Sequence, residues 1–132
     1  MHKSLIVGLS ALALGGCVGG SASDRYVSGE GSGFVSPRIQ QGDGLGGVIG
    51  ASARDLSNQF GDARIDLVEG DARKLQYAAP SCILDVYLYP LEAGGAPVAT
   101  HVEARARQGG GAVDAGQCIT AVSRAAAPTT AP

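Results

Sequence analysis

The alternation of apolar and polar residues is densest between Leu75 and Pro90, in the stretch LQYAAPSCILDVYLYP. From Cys82 to Tyr89 it has a period of two residues, which predicts a β-strand with one apolar face. One face of this strand carries Cys82, Leu84, Val86 and Leu88, and the other carries Ile83, Asp85, Tyr87 and Tyr89. We therefore predict that this strand lies in the middle of a small sheet.

Three further stretches predict the remaining strands of the sheet. They are residues 64–67, 72–77 and 98–107, with turn residues between the first two and a Gly-Gly pair before the last. In the last strand, Val98, Thr100, Val102, Ala104 and Ala106 are predicted to oppose Ala99, His101, Glu103, Arg105 and Arg107. Alternation of this kind indicates one buried face and one exposed face, as in an antiparallel sheet.

A short helix is predicted before the strands. Ser52 and Asp55 match the capping box, in which a hydroxyl is followed three residues later by an acid. Gly61 stands where a helix commonly ends with a positive φ. Between these signals, Leu56 and Phe60 are spaced to share one face, so we expect a helix over about residues 53–60.

A second helix is predicted at the other end of the domain. Asp114 can cap it, with Gln117 three residues later, and Cys118 and Val122 then lie on one stripe. The expected fold is α+β, in two layers: a short N-terminal helix, a four-stranded antiparallel sheet, and a C-terminal helix docked by a disulfide.

The first residues have the pattern of a targeting segment. Lys3 precedes the uncharged apolar run LIVGLSALAL, which is too short for a membrane-spanning helix of about 20 residues. The following residues, Leu14-Gly15-Gly16-Cys17, resemble the bacterial lipobox. That resemblance implies that residues 1–16 are a lipoprotein signal peptide and that Cys17 carries the lipid. The alternative is an ordinary cleaved leader followed by an incidental cysteine.

The three cysteines of the chain support the same prediction. If Cys17 carries lipid, Cys82 and Cys118 remain as a pair in an oxidising compartment, where disulfides persist. Their bridge would dock the C-terminal helix onto the sheet. The alternative is that both are unrelated buried thiols.

Composition divides the rest of the chain. Residues 17–44 begin with the cysteine that the lipobox resemblance implies is lipidated, and their high content of glycine and serine predicts a flexible tether. We place the α+β domain at residues 45–125 and a disordered tail at residues 126–132. The net charge is −2, without a basic patch, which argues against a nucleic-acid partner.

The middle of the chain resembles the small outer-membrane-assembly lipoproteins of the SmpA/OmlA (BamE-like) type. The resemblance covers roughly residues 45–107. Its motifs are the lipobox cysteine Cys17, the helix end Phe60-Gly61, the step Leu75-Gln76-Tyr77, and the Cys-x-Leu-x-Val run that begins at Cys82. It implies a bacterial envelope protein, anchored by lipid at the outer membrane and facing the periplasm, with a role in assembly or maintenance of that membrane.

The sequence does not predict an enzyme, a metal site or a cofactor. Histidine is the usual residue of nucleophilic and metal catalysis, and after removal of the leader only His101 remains. Residues 42–47 fit the pattern GxGxxG, but no apolar strand precedes them, so we expect no bound nucleotide.

The outward residues of the last two strands are the candidate contact surface. They are Tyr87, Tyr89, His101, Arg105 and Arg107. Tyrosine and arginine are enriched in protein interfaces, although they are also common outward residues of a strand. We therefore expect a non-enzymatic envelope lipoprotein that contacts another envelope protein or the cell wall. The alternative is a periplasmic inhibitor or ligand-binding module on a similar fold.

Overall fold

The computed structural model of the chain describes residues 33–128. The helices and strands are α1 Ala53–Phe60, β1 Ile65–Glu69, β2 Ala72–Ala78, β3 Cys82–Tyr89, β4 Val98–Ala106 and α2 Ala115–Ala126. The strands form one antiparallel sheet in the order β1-β2-β3-β4. The α+β prediction is therefore confirmed. The predicted signal peptide and Cys17 lie outside the described residues.

The hydrophobic core lies between the two helices and one face of the sheet, here called the core face. The sheet contributes Leu75, Tyr77, Cys82, Leu84, Val86, Leu88 and Val102, and the opposite layer contributes Leu45, Val48, Leu56, Phe60, Cys118, Ile119 and Val122. Burial of a large apolar side chain contributes about 1.5–3 kcal/mol. The face of β3 that was predicted to be apolar is thus the one that holds the layers together.

Both helices begin as their sequences predict. The Ser52 hydroxyl accepts a hydrogen bond from the Asp55 amide at 3.2 Å, and the Asp55 carboxylate accepts one from the Ser52 amide at 3.0 Å. The Asp114 carboxylate accepts a hydrogen bond from the backbone amide of Gln117 at 2.8 Å. Gly61 ends α1 with a φ of 77°, a value that favours glycine. Local sequence therefore determines where these helices start and stop.

A disulfide joins Cys82 of β3 to Cys118 of α2, with their Cα atoms 6.0 Å apart. Both residues are buried, and Cys118 lies on the same stripe of α2 as Val122. The bridge therefore fastens the C-terminal helix to the beginning of β3, an inner strand of the sheet, and the predicted disulfide is confirmed.

The predicted alternation of β4 is wrong at its N-terminal end. Tyr87 of β3 pairs with His101, but the next residue, Leu88, pairs with Ala99, so Thr100 is an extra residue in a β-bulge. A bulge of one residue reverses the faces on one side of it. Ala99 therefore faces the core.

The chain before α1 lies against the domain from a point within the predicted tether. The Ser36 hydroxyl donates to the Leu91 carbonyl at 2.9 Å, and the Gln40 amide donates to the Thr100 carbonyl at 2.8 Å. The Gln40 side chain also accepts a hydrogen bond from the Val102 amide at 2.7 Å. Residues 36–40 therefore follow the outer edge of β4.

Neither helix of residues 33–128 is long and apolar enough to cross a membrane.

Candidate interaction surface

The face of the sheet opposite the helices is the candidate surface, here called the open face. Its side chains come from all four strands of the sheet. They include Lys74, Gln76, Ile83, Asp85, Tyr87, Tyr89, His101, Glu103 and Arg105. The surface predicted from sequence therefore lies on the side of the sheet that the helices leave uncovered.

Asp85 occupies the centre of the open face and is only 1% exposed. Its carboxylate accepts a hydrogen bond from the Gln76 amide group at 2.8 Å and lies 3.2 Å from the Lys74 ammonium group. Arg105 donates a hydrogen bond to its second oxygen. Because a buried carboxylate without partners is strongly unfavourable, these three side chains are what allow the charge to remain here.

The balance of these effects lowers the pKa of Asp85. Burial is the largest influence and by itself would raise the pKa, but hydrogen bonds from Gln76, Arg105 and Lys74 together lower it below the ordinary value of 3.8. Burial by itself would lower the pKa of Lys74, but the hydrogen bond and the charge of Asp85, together with Tyr87, raise it. At neutral pH the Asp85 carboxylate is therefore ionised and is paired with Lys74 and Arg105.

Tyr87 links the charged cluster to the end of the open face that lies beside residues 36–40. Its hydroxyl donates to the Glu103 carboxylate at 3.2 Å, and the Lys74 ammonium group lies 5.2 Å from the centre of its ring. The His101 ring lies 5.7 Å from the Tyr87 ring, centre to centre, and 3.4 Å from Glu103. Burial is the main reason that the pKa of Tyr87 is raised. The Tyr87 side chain is therefore restrained by Lys74, Glu103 and His101.

Tyr89 lies beside this group and is 37% exposed. Together these side chains border a hollow of about 450 Å³, which residues 36–40 close on one side. The hollow is lined by Pro37, Arg38, Tyr87, Tyr89, Thr100, His101 and Glu103. Aromatic walls with charged groups at the rim suit contact with a partner that is partly apolar.

The two arginines of the predicted surface lie at the other end of the open face. Arg105 is opposite Ile83 in the sheet and is engaged by Asp85. Arg107 follows the end of β4, where its guanidinium donates to the Ala79 carbonyl at 3.4 Å. The structure therefore brings Tyr87, Tyr89 and His101 together but places Arg107 apart from them.

Sequence reasoning placed Asp85 on the outward face but did not recognise it as the centre of a charged cluster. The available signal was an acid in the middle of a strand that is otherwise apolar or aromatic. Lys74, Gln76 and Glu103 were missed as its neighbours, because cross-strand pairs depend on the register. Within residues 33–128, no group of three or more His, Cys, Asp or Glu side chains is arranged to hold a metal ion.

Comparison of the chain with families of known proteins, with curated proteins and with solved structures found no match in any of the three.

Proposed function

We propose that this protein is a non-enzymatic envelope lipoprotein whose domain binds another envelope protein through the open face of its sheet. Its anchor is a lipid on Cys17, and its place is the periplasmic side of the bacterial outer membrane. The observation that carries the proposal is the cluster of Tyr87, Tyr89 and His101 on a sheet face that the helices do not cover.

The composition of this cluster favours a protein partner. Tyrosine contributes a large contact area with few rotatable bonds, so little conformational entropy is lost when it binds. Tyr87 is already held by Glu103 and Lys74, which reduces the entropic cost further. Exposed rings of this kind, surrounded by charged groups, are typical of binding hot spots.

Two observations on the cysteines support the proposed location. The lipobox-like sequence before Cys17 supports lipid attachment, and the bridge between Cys82 and Cys118 is consistent with an exported protein. The resemblance to outer-membrane-assembly lipoproteins supports a role in assembly or maintenance of that membrane.

The proposal is tested by affinity purification of the intact, lipidated chain from cross-linked envelopes. Proteins captured with the wild type are compared by quantitative mass spectrometry with those captured by a Tyr89→Ala, His101→Ala double variant. Both side chains are exposed, so we expect the variant to fold. The amount of partner captured with it should fall by about tenfold or more.

The matched control is an Asn58→Ala, Gln59→Ala double variant, whose exposed side chains lie on α1 in the other layer. It should capture the partner as the wild type does. Capture that is unchanged in the Tyr89, His101 variant would exclude the open face as the contact surface.

A periplasmic inhibitor or ligand-binding module is the second candidate, favoured by the hollow beside Tyr89. Its volume of about 450 Å³ falls within the range of small-molecule sites. Saturable one-to-one inhibition of a secreted hydrolase, lost in the same double variant, would favour this role. Co-purification with an envelope complex would favour the first.

A further inference from the structure

The two edges of the sheet are treated differently by the rest of the chain. Along the outer edge of β4, backbone groups are bonded by Gln40, Gly50, Ala51, Gly111 and Val113, at 2.7–3.1 Å. At the other edge, no segment within residues 33–128 pairs with the outer side of β1. The outward backbone donors and acceptors of β1 are therefore open to another strand.

The side chains of β1 are also exposed and largely apolar. Ile65 is 45% exposed, Leu67 is 46% exposed and Val68 is 65% exposed. Edge strands are commonly protected by lysine, proline or a bulge, and the sequence of β1, IDLVE, contains neither of those residues. Ile65 and Leu67 lie on the open face, because they pair with Gln76 and Lys74.

Contacts with β2 hold the edge strand β1 in place. Arg73 of β2 reaches across to Asp66 and donates two hydrogen bonds to its carboxylate, at 2.8 and 2.6 Å. The Arg64 amide donates to the Gln76 carbonyl at 2.8 Å, which secures the beginning of β1. A partner that pairs with β1 therefore meets a strand that is already ordered, and it loses less affinity to conformational entropy.

Charge decides which kind of strand fits this edge. The segment Gly61–Asp71 contains four acidic residues and one arginine, a net charge of −3 within a chain whose total is −2. The acidic residues are Asp62, Asp66, Glu69 and Asp71. Two copies of this edge would repel each other, whereas a strand with lysine or arginine is attracted.

We propose that the outer edge of β1 accepts an extended segment of a partner protein, with alternating apolar and basic residues, as a fifth strand of the sheet. Main-chain hydrogen bonds supply the affinity, and the apolar residues of the segment contact Ile65 and Leu67 on the open face. The basic residues alternate with them and therefore lie on the opposite face, beside Asp66 and Val68. This site goes beyond the proposed contact surface and does not depend on Tyr89 or His101.

The test is a titration of the isotopically labelled full-length chain with short synthetic peptides, followed by nuclear magnetic resonance. A peptide of alternating valine and lysine should shift the amide signals of β1 and protect the Asp66 and Val68 amides from hydrogen exchange. A peptide of alternating valine and glutamate should bind at least about tenfold more weakly. A peptide of alternating proline and lysine carries the same charges but lacks the amide donor at every second residue, which disfavours its pairing as a strand, and it should also bind at least about tenfold more weakly.

Two matched variants place the binding at one edge. Val68→Lys adds a like charge to β1 and should weaken the valine-lysine peptide by about tenfold or more. Val113→Lys makes the same change at the covered edge of β4, where Val113 is 40% exposed, and should bind as the wild type does. Both positions are exposed, and circular dichroism checks that each variant is folded.

Several outcomes would overturn the proposal. They are absence of binding, equal binding of the proline-lysine peptide, and signal changes that avoid β1. Equal weakening by Val68→Lys and Val113→Lys would mean attraction by overall charge alone. None of these results bears on capture through Tyr89 and His101, so the two proposals can fail separately.

Discussion

Asp85 is the residue whose environment differs most from what its position in a strand suggests. It lies on the open face, yet it is buried beneath the long side chains that bind it. Lys74 and Arg105 remain partly exposed, so water continues to solvate their outer sides. The cluster can therefore keep a charge at the centre of the face without the full cost of burying an ion pair.

We expect Asp85→Asn to lower the free energy of unfolding by about 2 kcal/mol at neutral pH, because Lys74 and Arg105 lose their charged partner. The folded pKa of Asp85 lies below the ordinary value of 3.8, so the carboxylate stabilises the fold above that value. This contribution is lost as the pH falls through the folded pKa. The difference between variant and wild type in urea unfolding should therefore shrink in acid.

The matched control is Asp66→Asn, which removes the carboxylate of an exposed ion pair with Arg73. It should change the free energy of unfolding by at most about 1 kcal/mol. Equal losses for the two variants at neutral pH would contradict a special role for Asp85.

At the scale of elements, α2 is the part of the fold that depends most on one covalent link. The helix is capped by Asp114 and contributes Cys118, Ile119 and Val122 to the core. Its bridge to β3 spans 36 positions of sequence. Closing a loop of this length reduces the entropy of the unfolded chain considerably.

We expect a Cys82→Ala, Cys118→Ala double variant to lose roughly 4 kcal/mol of stability, the value of the chain-entropy estimate for such a loop. Guanidinium unfolding with and without reductant measures this loss. Reductant should destabilise the wild type and leave the variant unchanged. Mass spectrometry of a digest without reductant should find the two cysteine peptides joined, and free thiols at both positions would contradict the bridge.

At the scale of the whole molecule, the proposals give separate roles to three features: the lipid anchor at Cys17, the open face of the sheet, and the outer edge of β1. The helices cover the core face, and residues 36–40, 50–51 and 111–113 cover the edge of β4. Within residues 33–128, these segments leave uncovered the open face and the outer edge of β1, the two surfaces through which we propose that the domain binds. A lipid anchor would present both to proteins of the same membrane.

We expect Cys17→Ser to move the protein from the membrane fraction to the soluble fraction, because the variant cannot receive the acyl chains that hold it there. Fractionation at high salt with immunodetection measures the change. The control Cys118→Ser removes a cysteine without affecting the anchor and should stay with the membrane. Retention of the Cys17 variant at high salt would refute lipid anchoring.

The candidate site was predictable in part. Period-two alternation placed Tyr87 and Tyr89 on the outward face, and the structure sets His101 beside Tyr87. Alternation did not reveal the bulge at Thr100, since a bulge depends on how two strands fit together. It also did not identify Val48, which is fully buried in a turn that glycines surround.

The sequence by itself determined the elements: the caps of α1 and α2, the four strands, the faces of β3 and the pairing of Cys82 with Cys118. These follow from interactions between residues that are close in the chain, and from a count of cysteines. Only the tertiary structure decided that Asp85 is buried among Lys74, Gln76 and Arg105, that residues 36–40 cover β4, and that no segment of residues 33–128 pairs with the outer edge of β1. The physical reason is that register and coverage depend on contacts between segments distant in sequence, which no local pattern records.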